Sequence, residues 1–329
     1  MSAPPVPPPQ DRPVRVVCLG ETMLMLAPSA GERLETAAYL RPYLGGAESN
    51  VAIGLARLGA EAAWIGKLPR TPLARRIVHE MRAEGVDTSS VVWCETGRLG
   101  LFFFEFAAPP RPQICLYDRE HSSAGTLTAV ELDWERIGGA DWIHLTGITP
   151  ALGPVAQDLV RDVLRRARAI GLHVSFDVNY RQMLWAPEQA REVLRSLLCF
   201  VDLLVATEED AALLLDRRDS PEAALQNLYD NNGHQAVILT LGDRGAAGFD
   251  GRSFYRSSGF AAQVVNRLGA GDAFAAGLLY GYSNGGLEAG LRYGSAMAAL
   301  KLTIPQNTPL IDRAEVERLL AGDGPGLLR

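Results

Sequence analysis

The stretch NRLGAGDAFAAGLLY, from Asn266 to Tyr280, carries the strongest signal for the fold. Two glycines flank an alanine, an aspartate follows, and small apolar residues continue the segment. This order predicts a turn that leads from a strand end at Gln263–Val265 into a helix from about Asp272. Backbone N–H groups at a helix start lack partners, and glycines allow an anion to reach them. The stretch therefore fits a phosphate-binding turn, or a plain helix start that Asp272 only caps.

Two familiar phosphate-binding patterns are absent from the sequence. No GxxxxGK[ST] segment occurs, and the turn is not GxGxxG because Phe274 stands at its sixth position. A lone Gly-Ala-Gly-Asp is weak evidence by itself. The interpretation of the turn therefore depends on the segments around it.

On either side of this stretch, short apolar runs alternate with amphipathic segments. Helices are predicted over the residues after Gly46, with Gly59 as the stop, and over Pro154–Ile170, with Gly171 as the stop. Strands are predicted at Val14–Leu19, Ala62–Ile65, Trp142–Thr146, Leu172–Phe176, Asp202–Ala206 and Ala236–Thr240. Strands that alternate with helices predict a mainly parallel sheet covered on both faces.

One region interrupts this alternation. Leu99–Phe106 and Gln113–Asp118 are both strand-like with no helix between them, which predicts a hairpin outside the main sheet. Together with a polar gap at residues 23–43, the hairpin predicts a small β-lid formed from about residues 23–43 and 97–120. The apolar edge Leu99–Phe106 suggests a homo-oligomer that pairs through this lid.

Glycines and an asparagine mark the start of the first predicted helix. Gly45 and Gly46 would let a ligand touch the backbone, and Asn50, one turn in, can bind a hydroxyl group. The alternative is a loop-to-helix turn capped by Ser49 or Asn50.

Polar side chains also cluster after the strand LHVSF. Asp177, Asn179 and Arg181 alternate, so in an extended chain they share one face. Open α/β sheets bind ligands beyond the carboxyl ends of their strands, which makes this cluster a candidate site. The alternative is an internal Asp–Arg ion pair.

Two weaker signals complete the set. Arg119, in the lid segment Tyr117-Asp118-Arg119, can bind a carboxylate through two hydrogen bonds, or it is simply a solvated arginine. LTLGDRG at residues 239–245 leads a strand into a glycine turn, which suits a nucleotide or an ordinary tight turn.

The composition limits the classes of function. The 329 residues are 47% hydrophobic and carry a formal net charge of −6, which is typical of a globular protein and argues against nucleic-acid binding. The four cysteines and five histidines are scattered, which argues against zinc and predicts reduced thiols in a cytoplasmic protein. No apolar run is long enough to span a membrane, and the proline-rich residues 1–13 are predicted to be a disordered tail.

In this order, the segments resemble the ribokinase-like (PfkB) family of carbohydrate kinases. The resemblance extends from about Val14 to Pro309 and rests on the helix start Gly45–Gly59, on TLGDRG and on GAGDAFAAG. Within the family, the chain is most similar to the 2-keto-3-deoxygluconate kinases through GGAESNVAIGLARLG, GRLGLFFFE, YDREHSSA, WIHLTGITPAL, DVNYRQMLW and ALKLTIP. The resemblance implies a doubly wound, three-layer α/β/α domain over residues 14–329, whose β-lid closes over a sugar.

The resemblance also implies an activity and a site. ATP, with Mg²⁺, would phosphorylate the terminal hydroxyl of 2-keto-3-deoxygluconate to give 2-keto-3-deoxy-6-phosphogluconate. Asp272 would be the general base, and the N–H groups of Gly269, Ala270 and Gly271 would stabilise the developing charge. The residues expected to bind the sugar acid are Gly45, Gly46, Asn50, Phe102, Tyr117, Arg119, Asp177, Asn179 and Arg181. Those expected on the nucleotide side are Thr207, Thr240, Gly242, Gly245 and Gly271, with Glu208 and Asp210 near the metal.

Three positions depart from the family pattern. Thr207-Glu208-Glu209-Asp210 stands where Asn-x-x-Glu is frequent, so Glu208 or Glu209 is expected to support Asp210 near Mg²⁺. Asn266 lacks the charge often found before the glycine turn, which leaves activation by K⁺ open. Phe102 stands where tyrosine is frequent in the subgroup, and this removes one hydroxyl contact.

Other functions on this fold remain open from the sequence. One is a kinase for 2-keto-3-deoxygalactonate, fructose or a nucleoside, and another is a catalytically weak sugar-binding or regulatory protein. Arg119 and Arg181 favour a substrate with a carboxylate. Asp272 and the intact Gly-Ala-Gly favour an enzyme over a pure binder.

Overall fold

The computed structural model describes residues 12–107 and 110–322. Its strands are β1 (Arg15–Leu19), β2 (Met23–Ala27), β3 (Arg41–Gly45), β4 (Glu61–Ile65), β5 (Lys67–Pro69), β6 (Val92–Cys94), β7 (Leu101–Glu105), β8 (Ile114–Asp118), β9 (Trp142–Thr146), β10 (His173–Asp177), β11 (Leu203–Thr207), β12 (Ala236–Thr240), β13 (Ala246–Phe249) and β14 (Phe254–Ser257). Its α-helices are α1 (Ala47–Arg57), α2 (Pro72–Ala83), α3 (Trp134–Gly138), α4 (Pro154–Ala169), α5 (Pro187–Leu198), α6 (Glu208–Leu215), α7 (Pro221–Asn232), α8 (Ala270–Leu302) and α9 (Arg313–Ala321). Single 3-10 turns lie at Ser123–Thr126, Ala129–Glu131, Pro150–Leu152 and Gly242–Arg244.

Eight strands form the central sheet, in the order β14-β13-β12-β11-β10-β9-β1-β4. The six strands from β12 to β4 are parallel, and β13 and β14 extend one edge in antiparallel fashion. Successive side chains of a strand point to opposite faces. Val16 and Cys18 therefore pack with α1, α2, α8 and α9, whereas Val17 and Leu19 pack with the helices from α3 to α7. The predicted three-layer α/β/α fold with a mainly parallel sheet is confirmed.

A separate sheet of four strands has the order β3-β2-β7-β8, and β5 and β6 form a two-stranded sheet. The predicted hairpin is present as β7 and β8, whereas the supposed polar gap contains β2 and β3. The small sheet predicted from about residues 23–43 and 97–120 is therefore present. Only the description of residues 23–43 as a polar gap was wrong, because Met23 and Met25 pack against Phe102 and Phe104 and form a core for the small sheet. The predicted exposed edge was also wrong: β7 lies between β2 and β8, so β8 forms the edge, with Leu116 54% exposed.

Two predicted boundaries also differ from the structure. Gln263–Val265 is not a strand: the side chains of Val264 and Val265 are about half exposed, and the Val265 N–H donates to the Leu302 carbonyl at 2.8 Å instead of to a sheet. Residues 1–11 of the predicted tail lie outside the described residues. Arg12 belongs to the folded part, because its guanidinium pairs with Asp141 at 2.6 Å.

Two general expectations can be compared with the structure. The four cysteines are free thiols, which agrees with the prediction that none is paired. Over the described ranges, no helix has both the length and the apolar character needed to cross a membrane.

Candidate active site

A cavity of about 490 Å³ is lined by the small sheet on one side and by the carboxyl ends of β10, β11 and β12 on the other. This is the edge at which open α/β sheets bind ligands. Most of the predicted site residues line it, namely Gly45, Gly46, Asn50, Phe102, Tyr117, Arg119, Asp177, Asn179, Arg181, Thr207, Asp210, Thr240, Gly269, Gly271 and Asp272. The predicted residues that do not line it are Ala270, Glu208, Gly242 and Gly245.

The glycine turn leads directly into α8. Gly269 is the N-cap residue in a left-handed conformation (φ 80°), so α8 begins two residues earlier than predicted. The Ala270 N–H, one of the three predicted donors, is already engaged, because it donates to the Arg267 carbonyl at 3.2 Å. Gly271 differs, since a Cβ there would meet no atom within 4 Å. Its N–H lies in the first turn of α8, where backbone N–H groups lack partners within the helix and can bind an anion.

The turn is tied to the segment that follows α8. The Asn266 side chain accepts from the Leu268 N–H at 3.0 Å and donates to the Pro305 carbonyl at 2.8 Å. A Cβ at Gly269 would overlap the carbonyl oxygen of Asn307, and its positive φ also favours glycine. Asn266 thus holds the turn in place through both ends of its amide.

Asp272 lies buried in the first turn of α8, and Asn50 orients its carboxylate. The Asn50 amide donates to Asp272 Oδ2 at 2.6 Å and to Asn307 Oδ1 at 3.3 Å. The Asn307 amide in turn donates to the Leu44 carbonyl at 3.1 Å. Asn50 Oδ1 has no hydrogen-bond partner among the described residues. Asn50 therefore positions Asp272 and keeps an acceptor for a ligand hydroxyl.

The environment of Asp272 suits a general base. Burial raises the pKa of Asp272 to about 6, although the hydrogen bond from Asn50 and the charges of Arg181 and Lys301 lower it. Lys301 is itself fully buried, and burial lowers the pKa of its ammonium to about 8. A carboxylate with a pKa near 6 is mostly ionised at pH 7 and still basic enough to accept a proton efficiently.

Asp177, Asn179 and Arg181 meet in the cavity, but not through an extended chain. β10 ends at Asp177, and Asn179 has a left-handed backbone (φ 42°). Burial, followed by the charges of Asp210 and Asp272, raises the pKa of Asp177. The exposed Arg181 guanidinium donates to the Tyr180 carbonyl at 3.4 Å and has no carboxylate within ion-pair distance among the described residues. The alternative of an internal Asp–Arg ion pair is therefore not observed.

Arg119 lines the same cavity, and a carboxylate of the protein already pairs with its charge. Its buried guanidinium pairs with Glu21, which also accepts a hydrogen bond from the Ser122 hydroxyl. Its Cζ lies 5.4 Å from the centroid of the Tyr117 ring, and its Nε has no partner in the described part of the chain. Arg119 is thus not the solvated arginine of the alternative interpretation.

Gly45 and Gly46 allow the small sheet to approach the start of α1. A Cβ at Gly45 would overlap the Phe102 ring, and one at Gly46 would overlap the Glu21 carbonyl oxygen. The Phe102 ring centroid lies 5.7 Å from that of Tyr117. Close packing is therefore sufficient to explain both glycines, which also line the cavity.

The start of α6 has a structural role that the sequence interpretation missed. Asp210 Oδ2 accepts from the Thr207 N–H at 2.9 Å and from its hydroxyl at 2.8 Å, and Oδ1 accepts from the Tyr180 N–H at 3.2 Å. Glu208 pairs with Arg244. Among the residues that the structure describes, no group of three or more His, Cys, Asp or Glu side chains is placed to hold a metal ion. A magnesium contact of Glu208 or Asp210 stays a prediction.

On the predicted nucleotide side, the end of β12 lines the cavity, whereas the glycines of the turn that follows it do not. Thr240 ends β12 opposite Thr207 of β11, and both line the cavity. Gly242 and Gly245 have positive φ angles of 64° and 86°, and a Cβ at Gly245 would overlap the Ser257 carbonyl oxygen. The tight turn into β13 is sufficient to explain these two glycines, and their contact with a nucleotide stays a prediction.

The cavity residues that were missed at the sequence level include Glu21, Glu48 and Asn307. Glu21 follows β1 in the same way that Asp177 ends β10, so the strand-end signal was available. Glu48 lies inside the GGAESN segment, between residues that were considered. Asn307 has no local signal, because only the return of the chain after α8 brings it to Gly269.

Comparisons with known proteins agree with this geometry. The model of the pfkB family carbohydrate kinases matches residues 14–311. A 2-dehydro-3-deoxygalactonokinase from Haloferax volcanii is 37% identical, with 95% of this chain and 99% of that protein covered. A 2-dehydro-3-deoxygluconokinase from Bacillus subtilis is 33% identical over 88% of this chain and 90% of its own.

A solved structure shows the same fold. The 2-dehydro-3-deoxygluconokinase from Thermotoga maritima superposes with a TM-score of 0.87 at 32% identity, with 94% of this chain and all of that chain covered. The chain therefore belongs to the pfkB family of carbohydrate kinases, phosphotransferases that use an alcohol group as the acceptor.

Proposed function

We propose that the protein uses ATP to phosphorylate the terminal hydroxyl of 2-keto-3-deoxygluconate, a compound also called 2-dehydro-3-deoxygluconate. The observation that carries this proposal is the arrangement of one cavity: a buried carboxylate of raised pKa, Asp272, at a helix start, with the arginines Arg119 and Arg181 in the same wall. The base would accept the proton of the acceptor alcohol, and the arginines would bind the carboxylate of the substrate.

The residues of the chain divide the chemistry between them. Asp272 Oδ accepts the proton of the terminal hydroxyl as its oxygen attacks the γ-phosphorus of ATP, while Asn50 keeps the carboxylate in position. The Gly269 and Gly271 N–H groups at the start of α8 face the phosphoryl oxygens. Thr207 and Thr240 line the nucleotide side of the cavity.

Arg181 is the main group for the substrate carboxylate. It is exposed at the cavity wall and has no carboxylate partner within the described ranges. Arg119, which Glu21 neutralises, offers a donor to a substrate oxygen without adding net charge. The small sheet that carries Tyr117 and Arg119 acts as the lid that excludes water from the reaction.

Mg²⁺ fits this site as an ion held mainly by the phosphates of ATP. The charge of Asp210 contributes to the raised pKa of Asp177, and a cation beside them would relieve this repulsion. Mg²⁺ keeps several waters and takes one or two protein carboxylates, so Asp210, which lines the cavity, would hold it through water. Glu208 would have to leave its ion pair with Arg244 to contribute. When bound, it neutralises phosphate charge. The proposal includes no K⁺.

The C4 epimer, 2-keto-3-deoxygalactonate, is the second candidate substrate. The Haloferax volcanii relative named for that sugar acid is more similar to this chain (37% identity) than the Bacillus subtilis gluconokinase (33%). Both acids have the carboxylate and the terminal hydroxyl that Arg181 and Asp272 require.

An assay of ADP release with ATP and Mg²⁺ tests the proposal on both acids, fructose and a nucleoside. We expect kcat/KM for at least one acid to exceed that for fructose by about 100-fold, as charge-assisted hydrogen bonds to a carboxylate supply 1.5–3 kcal/mol each. An equal or higher value for fructose or the nucleoside would overturn the choice of substrate. No turnover of any compound would favour the weak sugar-binding protein.

The exposed side chains of β8 support a dimer through the lid as an additional proposal. Leu116 is 54% exposed and Ile114 37% exposed on this edge strand. Light scattering during size exclusion tests it: we expect a dimer mass, and a Leu116→Lys variant should shift to the monomer mass if β8 is the interface.

A further inference from the structure

Glu48 is a carboxyl group in the cavity wall that the proposed chemistry does not use. It lies in the first turn of α1 and is 1% exposed, yet it lines the same cavity as Gly46, Asn50 and Asp272. A carboxyl group so deeply buried is costly unless its oxygens have partners.

One oxygen of Glu48 is held in place by two hydroxyl groups. Thr146, the last residue of β9, and Thr149, just beyond the strand, donate to Glu48 Oε1 at 2.8 Å and 2.9 Å. On another side, Gly20 provides the space for the carboxyl group, because a Cβ at Gly20 would overlap its carbon and both oxygens. The carboxyl group is therefore fixed, and Oε2 is the oxygen without a side-chain donor in the described part of the protein.

No cation compensates Glu48. Among the described residues, none of the Lys, Arg or His side chains forms an ion pair with it. Burial raises its pKa, and the charge of Asp272, which has the same sign, raises it further. A neutral side chain could link α1 to β9 at a lower desolvation cost. The arrangement instead leaves Oε2 without a side-chain donor and able to accept a hydrogen bond from a ligand.

We propose that Glu48 is a specificity-determining residue of the sugar subsite, whose Oε2 accepts a hydrogen bond from a secondary hydroxyl of the substrate. The proposal rests on the proposed function. Glu48 and Asn50 are two residues apart on α1, so their side chains leave the helix in different directions. Glu48 nevertheless lines the same cavity as Asp272, and the charge of Asp272 acts on its carboxyl group. Glu48 therefore lies near the subsite of the reacting terminal hydroxyl. A secondary hydroxyl near that end of the sugar acid is the group it would bind.

The test combines one conservative variant with substrates that lack single hydroxyl groups. Glu48→Gln keeps the shape and can keep the bonds to the two threonines, but it turns Oε2 into a donor. Thr149→Val is the comparison variant, because it removes one bond to Oε1 and leaves the carboxylate. The substrates are 2-keto-3-deoxygluconate and its two analogues that lack the C4 or the C5 hydroxyl. KM, kcat, the KM for ATP and the thermal midpoint are measured for each protein.

We expect Glu48→Gln to raise KM for the full substrate by about 10- to 100-fold, the range for a hydrogen bond to a charged group. The change in kcat and in the KM for ATP should stay below about threefold, and Thr149→Val should raise KM less than Glu48→Gln does. With the analogue that lacks the bound hydroxyl, wild type and Glu48→Gln should have the same KM, because paired removals of interacting groups are not additive.

An equal effect of Glu48→Gln on all three substrates would overturn the contact and indicate a structural role. The same conclusion follows if Thr149→Val matches Glu48→Gln in KM, or if the KM of Glu48→Gln equals that of wild type. Turnover of neither sugar acid by wild type would overturn the proposed function and this inference together. Turnover by wild type without the Glu48 effect overturns the inference alone.

Discussion

The two sides of the cavity are built in different ways. The side proposed to bind phosphate, which we call the phosphate side, consists of backbone: the left-handed Gly269, Gly271 with open space where a side chain would stand, and the start of α8. The side proposed to bind the sugar, the sugar side, consists of side chains that already contact one another, such as Arg119 with Glu21 and Asn50 with Asp272. The phosphate side therefore depends on the absence of side chains, whereas the sugar side depends on their identity. Asp272 lies where the two sides meet.

This difference predicts that substitutions on the two sides will have different kinetic signatures. Changes in the backbone turn should affect turnover with ATP for every acceptor, because all acceptors use the same phosphoryl group. Changes among the side chains should affect acceptors unequally. The following predictions test this division, from the largest expected effect to the smallest.

Asp272→Asn should lower kcat by roughly two to four orders of magnitude, which is the usual contribution of a positioned acid–base group. Binding of the sugar acid, measured by calorimetry, should change little, because the amide keeps the shape of the carboxyl group. A kcat near that of wild type would show that another group accepts the proton. If the affinity for the sugar acid fell by the same factor as kcat, Asp272 would be a sugar-binding residue and not the general base.

Arg181→Ala should lower kcat/KM for the sugar acid by about 10- to 100-fold, because it removes a charge-assisted hydrogen bond to the carboxylate. For fructose, the loss should be less than about threefold. Arg217→Ala is a matched control, since Arg217 pairs with Asp219 and does not line the cavity. Equal losses for the acid and for fructose would contradict the assignment of the carboxylate to Arg181.

The dependence of kcat/KM on pH should show the titration of Asp272. Its pKa of about 6 lies above the usual range because of burial, so the reactive carboxylate form is lost as the pH falls below 6. We expect kcat/KM to fall about tenfold for each pH unit below that value and to level off above it. Burial also raises the pKa of Glu48 to about 7, so the profile of Glu48→Gln serves as the control. If the fall of kcat/KM at low pH disappeared in Glu48→Gln, the titrating group would be Glu48 and not Asp272.

The same shift has a consequence for stability. Between the ordinary pKa of an aspartate and about 6, the folded protein binds more protons at Asp272 than the unfolded chain does. Stability is therefore lost as the pH rises through this window, and the cost is fully present above pH 6. Asp272→Asn should accordingly raise the thermal midpoint by a few degrees at pH 8 and by less at pH 4. A lower midpoint at pH 8 would contradict the cost assigned to burial.

Gly269→Ala and Gly271→Ala separate folding from chemistry within the glycine turn. Gly269 has a positive φ and lies against the Asn307 carbonyl oxygen, so alanine there should lower the free energy of unfolding by about 1–3 kcal/mol. Gly271 is helical with open space around it, so alanine should leave stability within about 0.5 kcal/mol but raise the KM for ATP. Chemical denaturation and ATP kinetics measure both. Equal stability losses, or an unchanged KM for ATP in Gly271→Ala, would contradict this division.

The sequence predicted the large sheet well because its strands and helices have local signals. Trp142–Thr146 and Ala236–Thr240 have the predicted bounds, since each is a buried apolar run between polar ends. Residues 23–43 were interpreted as a gap because β2 and β3 become apolar surfaces only when Met23 and Met25 meet Phe102 and Phe104 from a distant hairpin. Such non-local packing has no signature in a short window.

The candidate site follows the same division between local and distant information. Asp272 and Asp177 were found because polar groups beside glycine turns and strand ends are local patterns. The contacts between Arg119 and Glu21, 98 positions apart, and between Asn50 and Asp272, 222 positions apart, depend on the whole fold. The role of Gly242 and Gly245 stays a prediction, because a tight turn requires glycine for the same backbone reason as a phosphate site.

The most direct test of the proposed reaction is the identity of the product. Wild-type protein is incubated with ATP, Mg²⁺ and 2-keto-3-deoxygluconate or its C4 epimer, and the product is examined by proton-coupled ³¹P NMR. The account predicts ADP and one phosphomonoester whose signal is a triplet, because two protons of the terminal CH₂ group couple to the phosphorus. A doublet, which indicates phosphate on a secondary carbon, or the absence of any phosphomonoester from both acids, would contradict it.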